Sequence, residues 1–420
     1  MWLRYRRQRS GERVIGLRLP AIPPGAEVAW VRSHLADLCC DEPTASPRFR
    51  GTQAEADAAL AAFNVAGYSA RRNEVFPVGK RGASGLSPWI RHGQLALPTV
   101  WDSVTGPSSD VEKFRDELRW QEYSRHLYAR VGYATSRPLR YDLRPQHSGS
   151  GDPGQAWDRS MLCLETVLAE LEGDGWLVNQ TRMWLASQWA VRHGADWRIG
   201  EDRFFTHLLD GSRAANRLGW QWTIGAATGK PYGFSRWQVN KRAPGMCGRC
   251  EHRDRCPIES WPPERPVSPG PEPQGMRSAD IPSAAAGPAT PLFDGDPSVV
   301  WITAESLGDA DPALRSHPGL PVIFVFDEPL LRRLQLSGKR LVFLAERLAE
   351  LGLSRELTIR RGRPVEVLAA SRVAVTYTPV PGWRRIAEAV RPAVVHPWPW
   401  LHRPGTGSVA SFSAWRNGLR

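Results

Sequence analysis

The spacing of hydrophobic positions changes character once along the chain. From Thr52 to Phe63 the run TQAEADAALAAF sets apolar residues at helical intervals, the pattern of an amphipathic helix. An earlier helix is predicted over roughly Gly25–Leu38, behind a short lead-in strand or loop. Helical patterning recurs at 110–131, 158–173, 176–193 and 201–209, interrupted by loops bearing Gly and Pro. Strand patterns are scarce, so 50–245 reads as mostly α. Beyond Trp261 the stretch PPERPVSPGPEPQGMRSADIPSAAAGPATP holds almost no aromatic residue and reads as a flexible linker. After it the apolar residues gather in short unbroken runs, VVWITA and PVIFVFD. The helix LVFLAERLAELG and the short strands LTIRRG and VAVTYT follow. Strand–helix–strand alternation predicts a small parallel α/β sheet.

Composition narrows the partners more than the fold. A chain of 420 residues with 41% hydrophobic content suits a soluble protein of two or more domains. No run of eighteen apolar residues occurs, which argues against a membrane-spanning helix. The N-terminus MWLRYRRQRSGERVIG is basic without an apolar core, unlike a secretory signal, so the cytoplasm is the expected compartment. A net charge of +12 favours polyanionic partners, because Lys and Arg gain by releasing counterions from phosphates.

The cysteines add candidate chemistry. In MCGRCEHRDRCP, Cys247, Cys250 and Cys256 are spaced C-x2-C-x5-C, with a Pro directly after the last. Such spacing in an intracellular chain points to metal or redox chemistry before structural disulfides. Cys-Pro endings recur at iron–sulfur sites, while thiolates with a His such as His252 also suit zinc. Tetrahedral thiolate sets serve either metal. Unliganded thiols are the third reading.

Four stretches carry a stronger signal: GKRGASGLSPWIRHGQL at 79–95, ELRWQEYSRHL at 117–127, GDGWLVNQTRM at 173–183 and FFTHLLDGSRAANRLGWQW at 204–222. In this order they resemble the flavin-cradling region of the photolyase/cryptochrome family, over about 195 residues from Phe49. The resemblance implies a mostly α-helical FAD-binding domain, with a smaller C-terminal α/β, doubly wound (Rossmann-like) domain. It implies cofactor contacts from Tyr68, Ser84, Leu86, Ser87, Trp176, Asn179, Arg182, Asp210 and Asn216. Small hydroxyl residues ahead of a helix suit a pyrophosphate, since helix N-termini favour anions. Arg91 also matches. Ala83, Gln121 and Ser212 depart from the family's Thr, Arg and Asp. Asn216 matches the residue beside flavin N5; a neutral amide hydrogen-bonds there while supplying no acid to a radical flavin.

By the same resemblance Glu117, Trp120, Met183 and Trp222 form the pocket for a flipped pyrimidine dimer, with Asn216 completing the catalytic set. The two indoles stack on the bases, and Glu117 and Met183 form the floor. A base acted on in a duplex must leave the stack, which is cheapest at a damaged site. Trp220 and Trp197 match the first two members of an electron relay. Cys163, in SMLCLETVLAELEGDGW, matches a ligand of the iron–sulfur bacterial photolyases and cryptochromes. With Cys247, Cys250 and Cys256 it completes a [4Fe–4S] set, zinc being the alternative.

VVWITAESLGDADPAL and FSAWRNGLR resemble parts of the family's antenna domain, which is N-terminal in relatives; the domain order here is expected to be permuted. Thr303, Ala304, Glu305 and Ser306 replace that domain's central Arg residues, and the antenna chromophore is left open. The expected layout is an N-terminal lead-in at 1–48, the FAD-binding domain at 49–245 and a Cys-rich segment at 246–261. A Pro-rich linker at 262–297 and the α/β domain at 298–420 complete it. The expected activity is that of a deoxyribodipyrimidine photolyase: excited, reduced FAD donates an electron to a cyclobutane pyrimidine dimer in damaged DNA. The expected protein is a monomer without membrane association. A cryptochrome-like blue-light sensor is the principal alternative. A (6-4) photolyase is disfavoured by Val178, where a His acid would be sought.

Overall fold

The computed structural model describes residues 16–143, 152, 154–263, 267–278 and 283–419. The rest of the expected lead-in and linker lies outside the described residues. Nine strands occur among them: β1 (Leu17–Leu19), β2 (Tyr141–Leu143), β3 (Val267–Pro269), β4 (Leu292–Phe293), β5 (Val299–Ile302), β6 (Val322–Asp327), β7 (Leu357–Gly362), β8 (Val373–Thr376) and β9 (Val394–His396). Seven form one sheet in the order β1-β7-β6-β5-β8-β9-β4. The inner five, β7-β6-β5-β8-β9, are parallel, and β1 and β4 close the two edges antiparallel. The parallel order reverses between β5 and β8, as in doubly wound folds.

The unbroken apolar run of β6 follows from this position, because a central parallel strand is covered on both faces. Val322, Phe324 and Phe326 face one layer, with Trp30, Leu35 and Leu348. Ile323 and Val325 face the other, with Val367, Trp383 and Val390. Both expected parts, a helical region and an α/β layer, are present.

Two segments differ from expectation. The described part of the lead-in joins the sheet layer: β1 pairs with β7, and helix Glu27–Leu35 packs on helix Gly338–Ser354. An open sheet edge offers unpaired N–H and C=O groups, so even three residues gain by pairing there. The described part of the Pro-rich segment, expected to be a flexible linker, is laid against the protein. β3 pairs with β2, and Met276 is buried beside Leu127, Leu139 and Val409.

The helical region is built on the 24-residue helix Ser108–Val131 and the helices Gln53–Ala62, Leu162–Gly173, Asn179–Ala186, Trp197–His207 and Ala215–Thr223. Thr52 starts the first by accepting from the Glu55 amide at 3.2 Å, the N-cap contact its sequence allows. The two layers meet along helix Gly338–Ser354, whose polar face is buried rather than solvated. Lys339 Nζ donates to Glu172 O at 2.7 Å, Arg347 Nε to Leu307 O at 2.7 Å, and Glu346 accepts from the Gly51 amide at 2.5 Å. Satisfied in this way, buried charges avoid the cost of an unpaired one. No helix among the described residues is long and apolar enough to cross a membrane.

Candidate flavin and cysteine sites

Asp210 sits on the turn after helix Trp197–His207. The Leu209 amide donates to Gly175 O at 2.8 Å, and the Gly211 amide to Leu208 O at 2.8 Å. Arg91 Nε and Arg340 Nη2 both donate to Gly211 O, at 3.0 and 3.1 Å, so the helical region and the α/β layer grip the same turn. Arg340 is fully buried, and burial, then repulsion from Arg91, draws its pKa down to about 9. From this turn Asp210 Oδ2 accepts from Ser87 Oγ at 2.6 Å and Arg182 Nη2 at 2.7 Å. Trp176 Nε1 donates to Ser87 Oγ at 2.9 Å.

These groups border a cavity of about 350 Å³, lined by Ser87, Arg91, Gln121, Ser124, Arg125, Arg182, Asp210, Ser212, Ala215 and Asn216. Asp210 Oδ1 and Asn216 Nδ2 are buried without a partner. A buried acceptor and donor left open at one cavity are what a bound heterocycle with polar edges would satisfy. The lining therefore fits FAD. Burial lowers the pKa of Arg125 to about 10, and the guanidinium charges of Arg91, Arg125 and Arg182 suit an anionic cofactor. The Glu305 carboxylate of the α/β layer pairs with Arg91 at 2.8 Å.

Of the cofactor residues expected from sequence, Ser87, Arg182, Asp210 and Asn216 line this cavity, and Trp176 reaches it through Ser87. Tyr68 is instead in an aromatic core, edge-on to Phe114 at 5.1 Å, and Leu86 is buried nearby. Ser84 Oγ accepts from the Leu86 amide at 3.4 Å within its own loop, and Asn179 is exposed. Ser124 and Arg125 were missed. Their signal was present: they stand three and four residues after Gln121, one face of a helix.

Glu117, Trp120, Met183 and Trp222 border neither this cavity nor the one below. Glu117 pairs with Lys113 at 2.8 Å and Arg72 at 3.3 Å. Trp120 stacks on Phe412 of the C-terminal helix, ring centroids 3.9 Å apart and planes at 8°. Met183 is half-buried, and Trp222 is exposed, 5.8 Å from the Tyr232 ring. The two expected relay members, Trp220 and Trp197, share one buried cluster with Trp157, Trp189 and Phe204. Trp220 is 5.2 Å from Phe204.

The four candidate ligand thiols come together. Cys163, Cys247, Cys250 and Cys256 line a second cavity of about 330 Å³, walled by Met161, Val239, Met246 and Ile258 with Arg236, His252 and Arg253. All four are free thiols. Burial, and then the other three thiols, push the Cys163 pKa up to about 12. Among the described residues no group of three or more His, Cys, Asp or Glu side chains is poised to hold a single ion. That bears out neither the zinc site nor the iron–sulfur site expected from the sequence.

Residues 114–240 match the family described as the FAD binding domain of DNA photolyase. The chain is 28% identical over 173 residues to a Synechococcus deoxyribodipyrimidine photo-lyase, covering 38% of this chain and 35% of that protein. With the Thermus thermophilus deoxyribodipyrimidine photo-lyase it shares 30% identity over 212 residues, 49% of this chain and 48% of the relative. The solved class III photolyase of Agrobacterium tumefaciens is 25% identical, covering 48% of this chain and 41% of that one, with a TM-score of 0.36. The chain spans less than half the length of each of these relatives. Over residues 114–240 the helical region is similar to the FAD binding domain of DNA photolyase, and it is there that the chain resembles the photolyase/cryptochrome family.

Proposed function

We propose that this protein is a light-driven DNA photolyase that splits cyclobutane pyrimidine dimers. The observation that carries the reading is the cavity at Ser87, Arg182, Asp210 and Asn216, with an open acceptor and an open donor inside it. FAD bound there in its reduced form supplies the light-excited electron. The chain's own residues do the rest. Asp210 holds Ser87 and Arg182 in place, Asn216 offers an amide that carries no acidic proton, and the buried walls exclude water. Trp120 and Trp222 supply aromatic faces for the extruded bases, and Glu117 is the carboxylate for their polar edges. The substrate proposed is damaged DNA, in keeping with the net charge of +12.

The four-cysteine cavity is proposed to hold a [4Fe–4S] cluster, through Cys163, Cys247, Cys250 and Cys256. Four thiols in an apolar wall are the ligand set such clusters use. Cys250→Ser should lower iron content to that of an apoprotein; full iron retention would refute the assignment. The sheet layer is proposed as the counterpart of the family's antenna domain, placed C-terminally.

A second reading, a cryptochrome-like light sensor, is favoured by one observation. The four dimer-pocket residues border neither cavity, and Glu117 is already paired with two cations. The deciding experiment is repair of a thymine-dimer oligonucleotide by photoreduced protein under blue light, with a dark control. Light-dependent recovery of intact thymines supports repair. Bound flavin without recovery refutes it and leaves the sensor reading.

A further inference from the structure

Beyond the two cavities, one face of the helical region keeps tryptophan in water. Trp237 and Trp261 are each 55% exposed, and Trp222 is 37% exposed. An indole is a large apolar surface normally buried, and an exposed apolar patch rimmed by polar groups marks an interaction surface. The rings form a connected track. The Trp237 and Trp261 centroids are 6.2 Å apart with planes at 37°, so neither covers the other's face. Trp261 lies on the backbone of Gly233, where a Cβ would meet its Cε3 at 2.3 Å. The preceding residue, Tyr232, is 5.8 Å from Trp222, the aromatic wall assigned to the dimer pocket.

The charge around this track is positive. Residues 230–261 carry seven Lys or Arg against three Asp or Glu. Two of the acids are engaged within the segment, Glu259 by Arg236 at 2.7 Å and Asp254 by Arg253 at 3.4 Å; Glu251 is the third. Lys241 stands one helical turn after Trp237, its Nζ 4.6 Å from the ring centroid, and Lys230 is exposed near the Trp222 end. Protein interfaces are depleted in Lys, whereas aromatic rings interleaved with cations are how proteins hold unpaired nucleic-acid strands.

We propose that Trp237 and Trp261 form a stacking platform for unpaired nucleobases of a DNA strand, with Lys241 on its phosphates. The platform stands without the repair reading; only its continuity with Trp222 rests on it. In a repair complex it would hold the bases flanking the extruded lesion.

The test titrates the full-length protein with a fluorescent, undamaged oligothymidylate, followed by anisotropy. Trp237→Ala and Trp261→Ala should each weaken binding about tenfold, and the double variant roughly a hundredfold. The Phe double variant should recover most of the affinity, because any aromatic face can stack. Lys241→Ala should reduce the salt slope by about one. Bound flavin and blue-light splitting of an isolated thymine-dimer dinucleotide, which has no flanking bases, should be unchanged in the Trp variants. Equal oligothymidylate affinity in the double Ala variant and the parent would overturn the platform. So would a parent that sediments as a dimer dispersed by the double variant with DNA affinity intact, which would make the face a self-association surface. If neither parent nor variants repair dimers but the parent alone binds oligothymidylate, the repair reading fails and the platform stands.

Discussion

Gly51→Ala tests whether the two layers are docked as a unit. Gly51 lies where the helical region meets helix Gly338–Ser354, and an added Cβ would stand 1.9 Å from Phe343 O and 2.7 Å from Phe343 C. Both are main-chain atoms inside a helix, so no rotamer change relieves the overlap. Ordinary contact begins at 3.4 Å, so the helix must withdraw by about 1.5 Å. That withdrawal would also stretch the 2.5 Å bond from the Gly51 amide to the buried Glu346 carboxylate, which Arg50 pairs on its other side. Overpacking costs ~1–3 kcal/mol and a lost bond to a charged group ~1.5–3 kcal/mol. The two share one movement and do not add fully, giving about 3 kcal/mol. With an unfolding entropy of about 2.1 cal/mol/K per residue over a docked unit of 420 residues, each kcal/mol is worth about 1 °C, so the thermal midpoint should fall by roughly 3–4 °C. The assay is thermal unfolding followed by tryptophan fluorescence, with Gly173→Ala as control. Gly173 has no atom within 4 Å of its would-be Cβ, and Ala there should be neutral or stabilising by up to ~1 kcal/mol. A Gly51→Ala midpoint within about 2 °C of the Gly173→Ala midpoint would refute the docking geometry.

Two further outcomes follow from the structure. Asp311 Oδ1 caps helix Pro312–Ser316 by accepting from Ala313 and Leu314 at 3.0 and 3.1 Å, while burial lifts its pKa from 3.8 to about 6. The folded state therefore holds this proton more tightly than the unfolded chain, so stability contributed here falls as pH rises from about 4 to 6 and is level above. Asp311→Asn keeps the cap and removes the titration, so the parent-minus-variant difference in urea midpoint should decline across that window; a flat difference would refute it. Phe412→Ala removes the ring stacked on Trp120, a contact of ~0.5–1.5 kcal/mol, and should weaken dimer-oligonucleotide binding several-fold with flavin retained. Equal affinity would remove Phe412 from the support of that wall.

What was legible in the sequence, and what was not, divides along the reach of local pattern. The run PVIFVFD has no alternation because both its faces are covered, and that absence of period is itself readable. The lead-in was readable only as a strand or a loop, since Leu17–Leu19 is too short to show a period; its place on the edge of β7 was not readable. The motifs located Ser87, Arg182, Asp210 and Asn216 at one cavity, because a match over several turns carries spatial information that single residues do not. The same matches named Tyr68, Leu86 and Asn179, which the structure places in a core or at the surface. Helix Gly338–Ser354 exposes the limit most clearly. Its Lys339, Arg340, Glu346 and Arg347 are charged, yet all four are buried. Besides the charged side chains of Arg50, Asp309 and Glu350, their partners are main-chain groups of Glu172, Phe205, Gly211, Gly51 and Leu307, and nothing in the identity of those five residues announces a free carbonyl or amide. The consequence reaches the candidate site, because Gly211 O, held by Arg340 and Arg91 together, adjoins Asp210. The shape of the flavin-side cavity is thus a property of both layers, and the order in which the chain writes those layers does not enter its geometry.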